Sequence, residues 1–426
     1  MCGRGPGNAF DPEPIHDWGG AVSPLRLQKL SRSQGRGRSP PRYRYLHEFE
    51  LAVWPARRST VRFFLSPFSL KHETRPSDNP IHLMSGIRLS ICISTYNRAA
   101  FIGETLESIV GQLTDEVEVI VLNDRSPDHT PEVVGGFVAR CPRLRYIQMD
   151  SGENFDQKYY RLVTLARGEY CWLFSDDDLL KPGAVEAVLE AAKQHYSLII
   201  VNAEVRGVDF AVCLQARRVD VDRDRIYSNA SSDQNRLLAD TGVYLSFLGG
   251  VVIQRELWLQ REKEQYLGTG LLHTGVVFQC PIPGNTLLMA HPWVVARYGN
   301  AQWGSQSFEI GMFNWRKVIW SSSGFADWAK EKVAPADPWR SYPQLLFARA
   351  LGRFSVLDYE RWLASRIRSP LRRFLTRAIA GAPVRLINFL ARYYARWILR
   401  KNPSMGLYEL EAWHRENVRA RAARQA

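Results

Sequence analysis

The sequence predicts an α/β protein in three layers, a mainly parallel open sheet between two sets of helices. Three observations predict it. Short β-rich apolar runs alternate with segments of helical period, which implies parallel strands joined by crossover helices. Each run stops at a polar loop, and in such a sheet these loops gather at the carboxyl edge, where ligands bind. No G-x-G-x-x-G follows the first run, which disfavours the dinucleotide-binding version of the architecture.

Taken in order, Leu89 to Ser94 is the first strand, Thr95-Tyr96-Asn97-Arg98 its loop, and Ile102, Leu106, Ile109 and Val110 then keep helical spacing. Val117 to Leu122 is the second strand, closed by Asn123-Asp124-Arg125-Ser126, and Pro131 to Ala139 reads as a helix. Leu144 to Met149 is the third strand, Asp156 to Ala166 the next helix, Tyr170 to Phe174 the fourth strand, and Ser197 to Val201 a further one. The fourth run is too short for a core helix and stops at Asp176, Asp177 and Asp178. Adjacent carboxylates repel, so the triplet is costly unless water or a cation compensates it. Hard oxygen ligands on a strand end suit Mg²⁺ or Mn²⁺ shared with a phosphate. The competing reading makes Asp178 the cap of a helix over Ala184 to Ala192, Asn97 and Ser126 caps as well, and Asp124 a turn residue. Three polar clusters on one edge favour a site.

With 426 residues and 45% hydrophobic content the chain can bury a large core. The net charge of +13 predicts anionic partners, but Arg is concentrated before Arg75 and after Arg340, with no recognition motif beside it, so nucleic acid is not expected. The cysteines form no C-x-x-C pair, no apolar run is long enough to span a bilayer and no signal peptide is visible, which together predict a cytoplasmic protein. Residues 1–83 read as a disordered Arg/Pro-rich extension, and Met84, directly before the first strand, as a candidate start of the working protein.

The runs LSICISTYNR from Leu89, VEVIVLNDRSPDHT from Val117 and GEYCWLFSDDDLLKPGA from Gly168 resemble the family 2 glycosyltransferases of GT-A fold, and the later GTGLLHTG looks most like the abequosyltransferase subgroup of O-antigen assembly. The resemblance covers roughly Arg88 to Glu204. It implies a nucleoside diphosphate sugar donor, with Thr95, Tyr96 and Arg98 at base and ribose and Asp124 accepting a hydrogen bond from the base. It also implies ribose and a divalent metal held by the acidic motif, and inversion at the transferred sugar. Lys158 is expected to add positive charge near the diphosphate. Two registers are open in the motif; Asp176 and Asp178 are favoured as the metal-binding D-x-D, with Asp177 in the donor set. Ser175 stands where relatives commonly carry another Asp.

The donor half is expected over 84–204 and the acceptor half over 205–325. Val205 to Asp240 reads as a solvated insertion or lid. The E-D pair that supplies the base in relatives is missing, which leaves His273 as base or metal ligand and Asp240 in reserve. It also leaves a non-catalytic nucleotide-sugar-binding protein as the alternative function. Trp293, Trp303 and Trp315 are candidates for stacking on an acceptor sugar. The region 340–426 reads as a helical basic tail. Within it Val384, Ile387, Leu390, Tyr394, Trp397 and Ile398 would line one side and Arg385, Arg392, Arg396 and Arg400 another, which suits reversible, salt-sensitive attachment to the anionic inner face of the membrane. A lipid-linked or saccharide acceptor would be met there.

Overall fold

The computed structural model describes residues 86–150, 152–300, 306–335, 337–398 and 404–422. The extension before Met84, Met84 itself, Trp303 and Arg400 lie outside the described residues. The strands are β1 (Leu89–Thr95), β2 (Val117–Asn123), β3 (Leu144–Gln148), β4 (Tyr170–Phe174), β5 (Leu179–Leu180), β6 (Leu198–Gly207), β7 (Cys213–Gln215), β8 (Arg225–Tyr227), β9 (Val251–Gln254) and β10 (Thr286–Tyr298). They form one sheet in the order β3-β2-β1-β4-β9-β6-β10-β5, with β7 on β6 and β8 on β10.

β1, β2, β3 and β4 are mutually parallel, as the alternation of strand and helix requires. β1, β2 and β4 are buried on both faces; β4 is accordingly a continuous apolar run, and the polar Ser90 of β1 and Glu118 of β2 are buried against one another, Ser90 Oγ donating to Glu118 at 2.7 Å. β9 runs antiparallel to both β4 and β6, and β10 runs parallel to β6. Two reversals restore the direction, so β6 and β10 point their carboxyl ends to the same edge as β1, β2 and β4. The loop after β4 crosses this edge. Its far end becomes β5, which pairs with β10 at Val294 and Val295. The triple Asp therefore lies across the top of the sheet rather than at the tip of a single strand.

Val205 to Asp240 is not a lid. β7 and β8 join it to the sheet, Asn202 Oδ1 accepts Val219 N–H at 3.0 Å, and Asp224 Oδ1 accepts Ala290 N–H at 2.7 Å. Its charged side chains face outward while Val219 and Val221 are buried.

The tail is helical, with the Tyr342–Ala350, Pro370–Gly381, Val384–Tyr393 and Met405–Ala422 helices as its main parts. The expected helix face is corrected. Ile387 and Ala391 pack inward against Ala350, Leu351 and Leu410, and Asn388 Nδ2 donates to Ala350 O and Leu410 O at 3.2 and 3.0 Å. Leu390 and Trp397 instead turn to solvent. The Met405–Ala422 helix closes onto the functional edge. Tyr408 Oη accepts Val208 N–H at 2.9 Å and Tyr298 Oη donates to Glu409 at 3.3 Å. Tyr408 sits where two glycines leave room: a Cβ on Gly207 would come within 2.7 Å of its hydroxyl, and one on Gly299 within 2.9 Å of its ring.

Candidate functional site

The loop after β1 is stitched to the loop after β2. Asn97 takes a left-handed φ of 56°, which Asn tolerates, and this aims Asn97 N–H at Ser126 Oγ (2.8 Å). Arg98 N–H donates to Thr130 Oγ1 and Ala99 N–H to Asp128, each at 2.9 Å. Burial pushes the Asp128 carboxyl up, but the hydrogen bonds from Thr130 and Ala99 outweigh it and leave it below its ordinary range. Ser126 and Asn97 thus join the two loops and are not helix caps: the N-caps of the helices that follow are Phe101 and His129.

Beside these loops Lys158 Nζ lies 2.8 Å from Asp124 Oδ2 and 5.8 Å from the centre of the Tyr96 ring. The other carboxylate oxygen, Asp124 Oδ1, is buried and has no hydrogen-bond partner. A buried acceptor without a donor costs about 1–3 kcal/mol or more, and an N–H from a ligand would remove that cost. Lys158 was expected near a diphosphate; it is instead bound to Asp124, because the turn that starts the Phe155–Leu165 helix sets it beside the β2 loop. Thr95 closes β1, buried beside Asp176.

The acidic motif meets the same β1 loop, through Thr95 and Arg98. Arg98 spans two of its members, with Nε 3.3 Å from Asp176 Oδ1 and Nη2 3.4 Å from Asp177 Oδ2, while Nη1 donates to Asn300 O at 3.0 Å. Ser175 Oγ and Asn300 Nδ2 donate to Asp177 at 2.5 and 2.8 Å. Burial raises the Asp176 carboxyl to about 7, with Arg98 opposing and Asp177 adding to the rise. Asp178 faces elsewhere: its Oδ1 accepts Arg297 N–H at 2.8 Å, a backbone donor just past the two residues that β5 pairs. The favoured register is therefore corrected. Asp176 and Asp177 share one face and one guanidinium, and Asp178 anchors the motif to β10.

Sequence reasoning missed Arg297 and Asn300. Arg297 is buried; its Nε donates to Asp177 O at 2.8 Å, Nη1 to Val208 O at 2.6 Å, Nη2 pairs with Glu104, and the guanidinium lies 3.9 Å from the Phe210 ring centre. The one signal was a charged residue at the end of the apolar run that became β10. Removing this side chain strands two carbonyls and a motif that depends on them. Arg297→Leu is expected to cost about 3 kcal/mol or more, seen as a lower urea midpoint at unchanged slope.

The GTGLLHTG stretch has a structural explanation. Gly268 and Gly270 take φ of +79° and +72°, and the loop they permit points Gly270 N–H and Leu272 N–H at Asp156, at 2.8 and 3.0 Å. His273 follows at the start of the Leu272–Phe278 helix and is corrected as base and as metal ligand. It is buried, its Nε2 bonds Ser246 O at 3.0 Å, and burial lowers its pKa to about 4. A ring that donates to a carbonyl and holds a second proton so weakly is a poor acceptor of one from a hydroxyl. Among the described residues no three His, Cys, Asp or Glu side chains gather around a single point. Asp240 is corrected too. It bonds Tyr227 Oη at 3.1 Å and pairs with Lys332, and Tyr227 lies opposite Thr286 at the start of β10, while Arg297 is near its end. On the order of 30 Å of strand separates it from the acidic motif. Trp315 is core, donating to Val333 O at 3.2 Å; Trp293 is half-buried beside His291 and packs against the main core.

The chemistry of the donor set fits a hard divalent cation. Asp176 and Asp177 bring two buried carboxylates to one face with a single Arg98 charge between them. Residues 90–250 match the family model described as glycosyl transferase family 2. The chain is 25% identical over 225 residues to abequosyltransferase RfbV of Salmonella typhimurium, a match covering 50% of this chain and 67% of that protein. It is 31% identical over 121 residues to a chondroitin synthase of Escherichia coli, covering 28% of this chain and only 18% of that protein. Among solved structures, the mannosyltransferase PcManGT of Pyrobaculum calidifontis in complex with GDP-Man and Mn²⁺ superposes with a TM-score of 0.44 at 17% identity, covering 81% of this chain and 91% of that one.

Proposed function

We propose that this chain, whose residues 90–250 match the family 2 glycosyltransferase model, takes a sugar from a nucleoside diphosphate sugar and passes it, with inversion, to a saccharide or lipid-linked acceptor in surface polysaccharide synthesis. The observation that carries the donor class is the orphaned Asp124 Oδ1 beside Tyr96 and Lys158, one loop away from the acidic motif. An imide N–H of a pyrimidine or guanine base satisfies that oxygen, and the Tyr96 ring gives the base a flat neighbour. The ribose and diphosphate then run toward Asp176 and Asp177, which would hold Mg²⁺ or Mn²⁺. Such an ion supplies charge neutralisation at the departing diphosphate.

The chain's own residues do the rest. Arg98 keeps the two carboxylates together, Asn300 and Ser175 fix the Asp177 rotamer, and Asp178 with Arg297 holds the loop rigid across the sheet edge. The half beyond residue 204 receives the acceptor, with the transfer taking place at the cytoplasmic face of the membrane.

The test is a panel of nucleoside diphosphate sugars, each with Mn²⁺. One of them is expected to raise the melting temperature and to be slowly hydrolysed, since a ligand present at about 100 times its Kd adds roughly 2.7 kcal/mol. Both effects should vanish in excess EDTA. Stabilisation without turnover on any acceptor would mean a binding protein rather than an enzyme, and full activity in EDTA would remove the metal from the reading.

A further inference from the structure

The Pro370–Gly381 and Val384–Tyr393 helices present an apolar surface that nothing in the fold covers. Leu371 and Phe374 on the first are 66% and 69% exposed, and Leu386, Phe389, Leu390 and Trp397 on and after the second are 50–63% exposed. The spacing of the second group is that of one helical stripe. The opposite faces hold the helices in place, through Thr376 and Ala380 on the first and Asn388 on the second. This surface is therefore a rigid outward face and not a helix awaiting a place in the core.

Two features identify what covers it. From residue 365 to 398 the chain carries Arg repeatedly and no Asp or Glu, so the partner is anionic. The two helices meet at 94°, and although no single described helix is long and apolar enough to cross a membrane, the bent pair together has the apolar length of a broken or re-entrant segment. A bend of that size with aromatic residues along its rim fits a shape lying in one leaflet. Charge alone does not explain the attachment, because several of the Arg side chains are already in use: Arg373 donates to Ile367 O, and Arg377 and Arg396 pair with Glu360 and Glu411.

We infer that the bent pair over residues 370–398 is a monotopic wedge that inserts its apolar stripe into one leaflet of an anionic phospholipid bilayer. The inference rests on the membrane part of the proposed function and changes its character, from salt-reversible attraction to insertion. It also orients the site. Asn388 holds Leu410 O in the closing helix, whose Tyr408 and Glu409 bind Val208 and Tyr298, and Tyr298 is the neighbour of Arg297. The wedge is thus joined through one helix to the lip of the acidic motif, and a seated wedge fixes how far that lip stands from the headgroups.

The experiment uses the full chain and sedimentation with vesicles of phosphatidylcholine, alone or with about a third phosphatidylglycerol. The protein is expected to bind the anionic vesicles and to stay bound through a wash at about 1 M NaCl, where charges are screened within ~3 Å. The Leu386→Ser, Phe389→Ser, Trp397→Ser triple variant, altered only at exposed positions, is expected to lose about ten-fold in binding while its thermal melt and donor response stay as in the parent. Brominated acyl chains should quench tryptophan fluorescence less in Trp397→Phe than in the parent. No vesicle binding by the parent, complete release by salt, or unchanged binding of the triple variant each overturns the wedge. So does a dimer in sedimentation velocity that the triple variant dissolves, since the face then belongs to a second copy. A failed wedge with an intact donor response leaves the transferase reading standing, and vesicle binding without any donor response does the reverse.

Discussion

Asp177→Asn is expected to lower sugar transfer, or metal-dependent donor hydrolysis, by about 10³-fold with no loss of fold. The substitution keeps the size of the side chain and an acceptor oxygen for Asn300 and Arg98, and removes one negative charge. Charge neutralisation by a bound ion is worth several kcal/mol at a departing group, and about 4 kcal/mol is a thousand-fold in rate. Mn²⁺ binding by the donor-loaded protein should fall in parallel. Asp178→Asn gives the contrast: its amide oxygen can still accept Arg297 N–H, so the variant should keep both transfer and the urea midpoint near those of the parent. Transfer within ten-fold of the parent in Asp177→Asn, together with a dead but stable Asp178→Asn, would restore the register in which Asp178 is the ligand.

The second large effect belongs to Asp124→Ala, for which the donor KM is expected to rise about 10–100-fold while kcat changes little. A hydrogen bond to a charged group contributes about 1.5–3 kcal/mol, and here the loss falls on binding shared by ground and transition states. The variant also leaves Lys158 buried beside Tyr96 without its partner, so Asp124→Asn and a Lys158→Met, Asp124→Asn double variant separate the base contact from the unpaired charge. An unchanged KM in every one of these would place the base elsewhere.

The strands of the parallel half were legible: burial on both faces writes β1, β2 and β4 as mostly apolar runs, and the half-buried β3 and the start of β6 also stand where apolar segments are read. β9 was not legible: it is a short stretch following Gly249-Gly250, and nothing local says that it turns against its neighbours. The acidic motif was visible as composition, but its register was not, because the groups that sort the three carboxylates are Arg297 and Asn300, 119 and 123 residues further along the chain. Asp240 misled for the same reason in reverse, since its place in the chain does not reveal which end of a long strand it sits against. In the tail, apolar residues occur on two sides of one helix, and a sequence period cannot say which side the Tyr342–Ala350 helix will take.

The glycine-lined seat of Tyr408 has a consequence in time. Glu409 and its partner Tyr298 are 111 residues apart, so at roughly 5–20 residues per second this part of the sheet edge waits on the order of 5 to 20 s for the helix that packs on it. During that interval the nascent protein holds Asp176 and Asp177 on a sheet edge whose far wall has not been synthesised. The contacts that Tyr408 makes in its glycine-lined seat are therefore among the last of this edge to form, long after the strands beneath them.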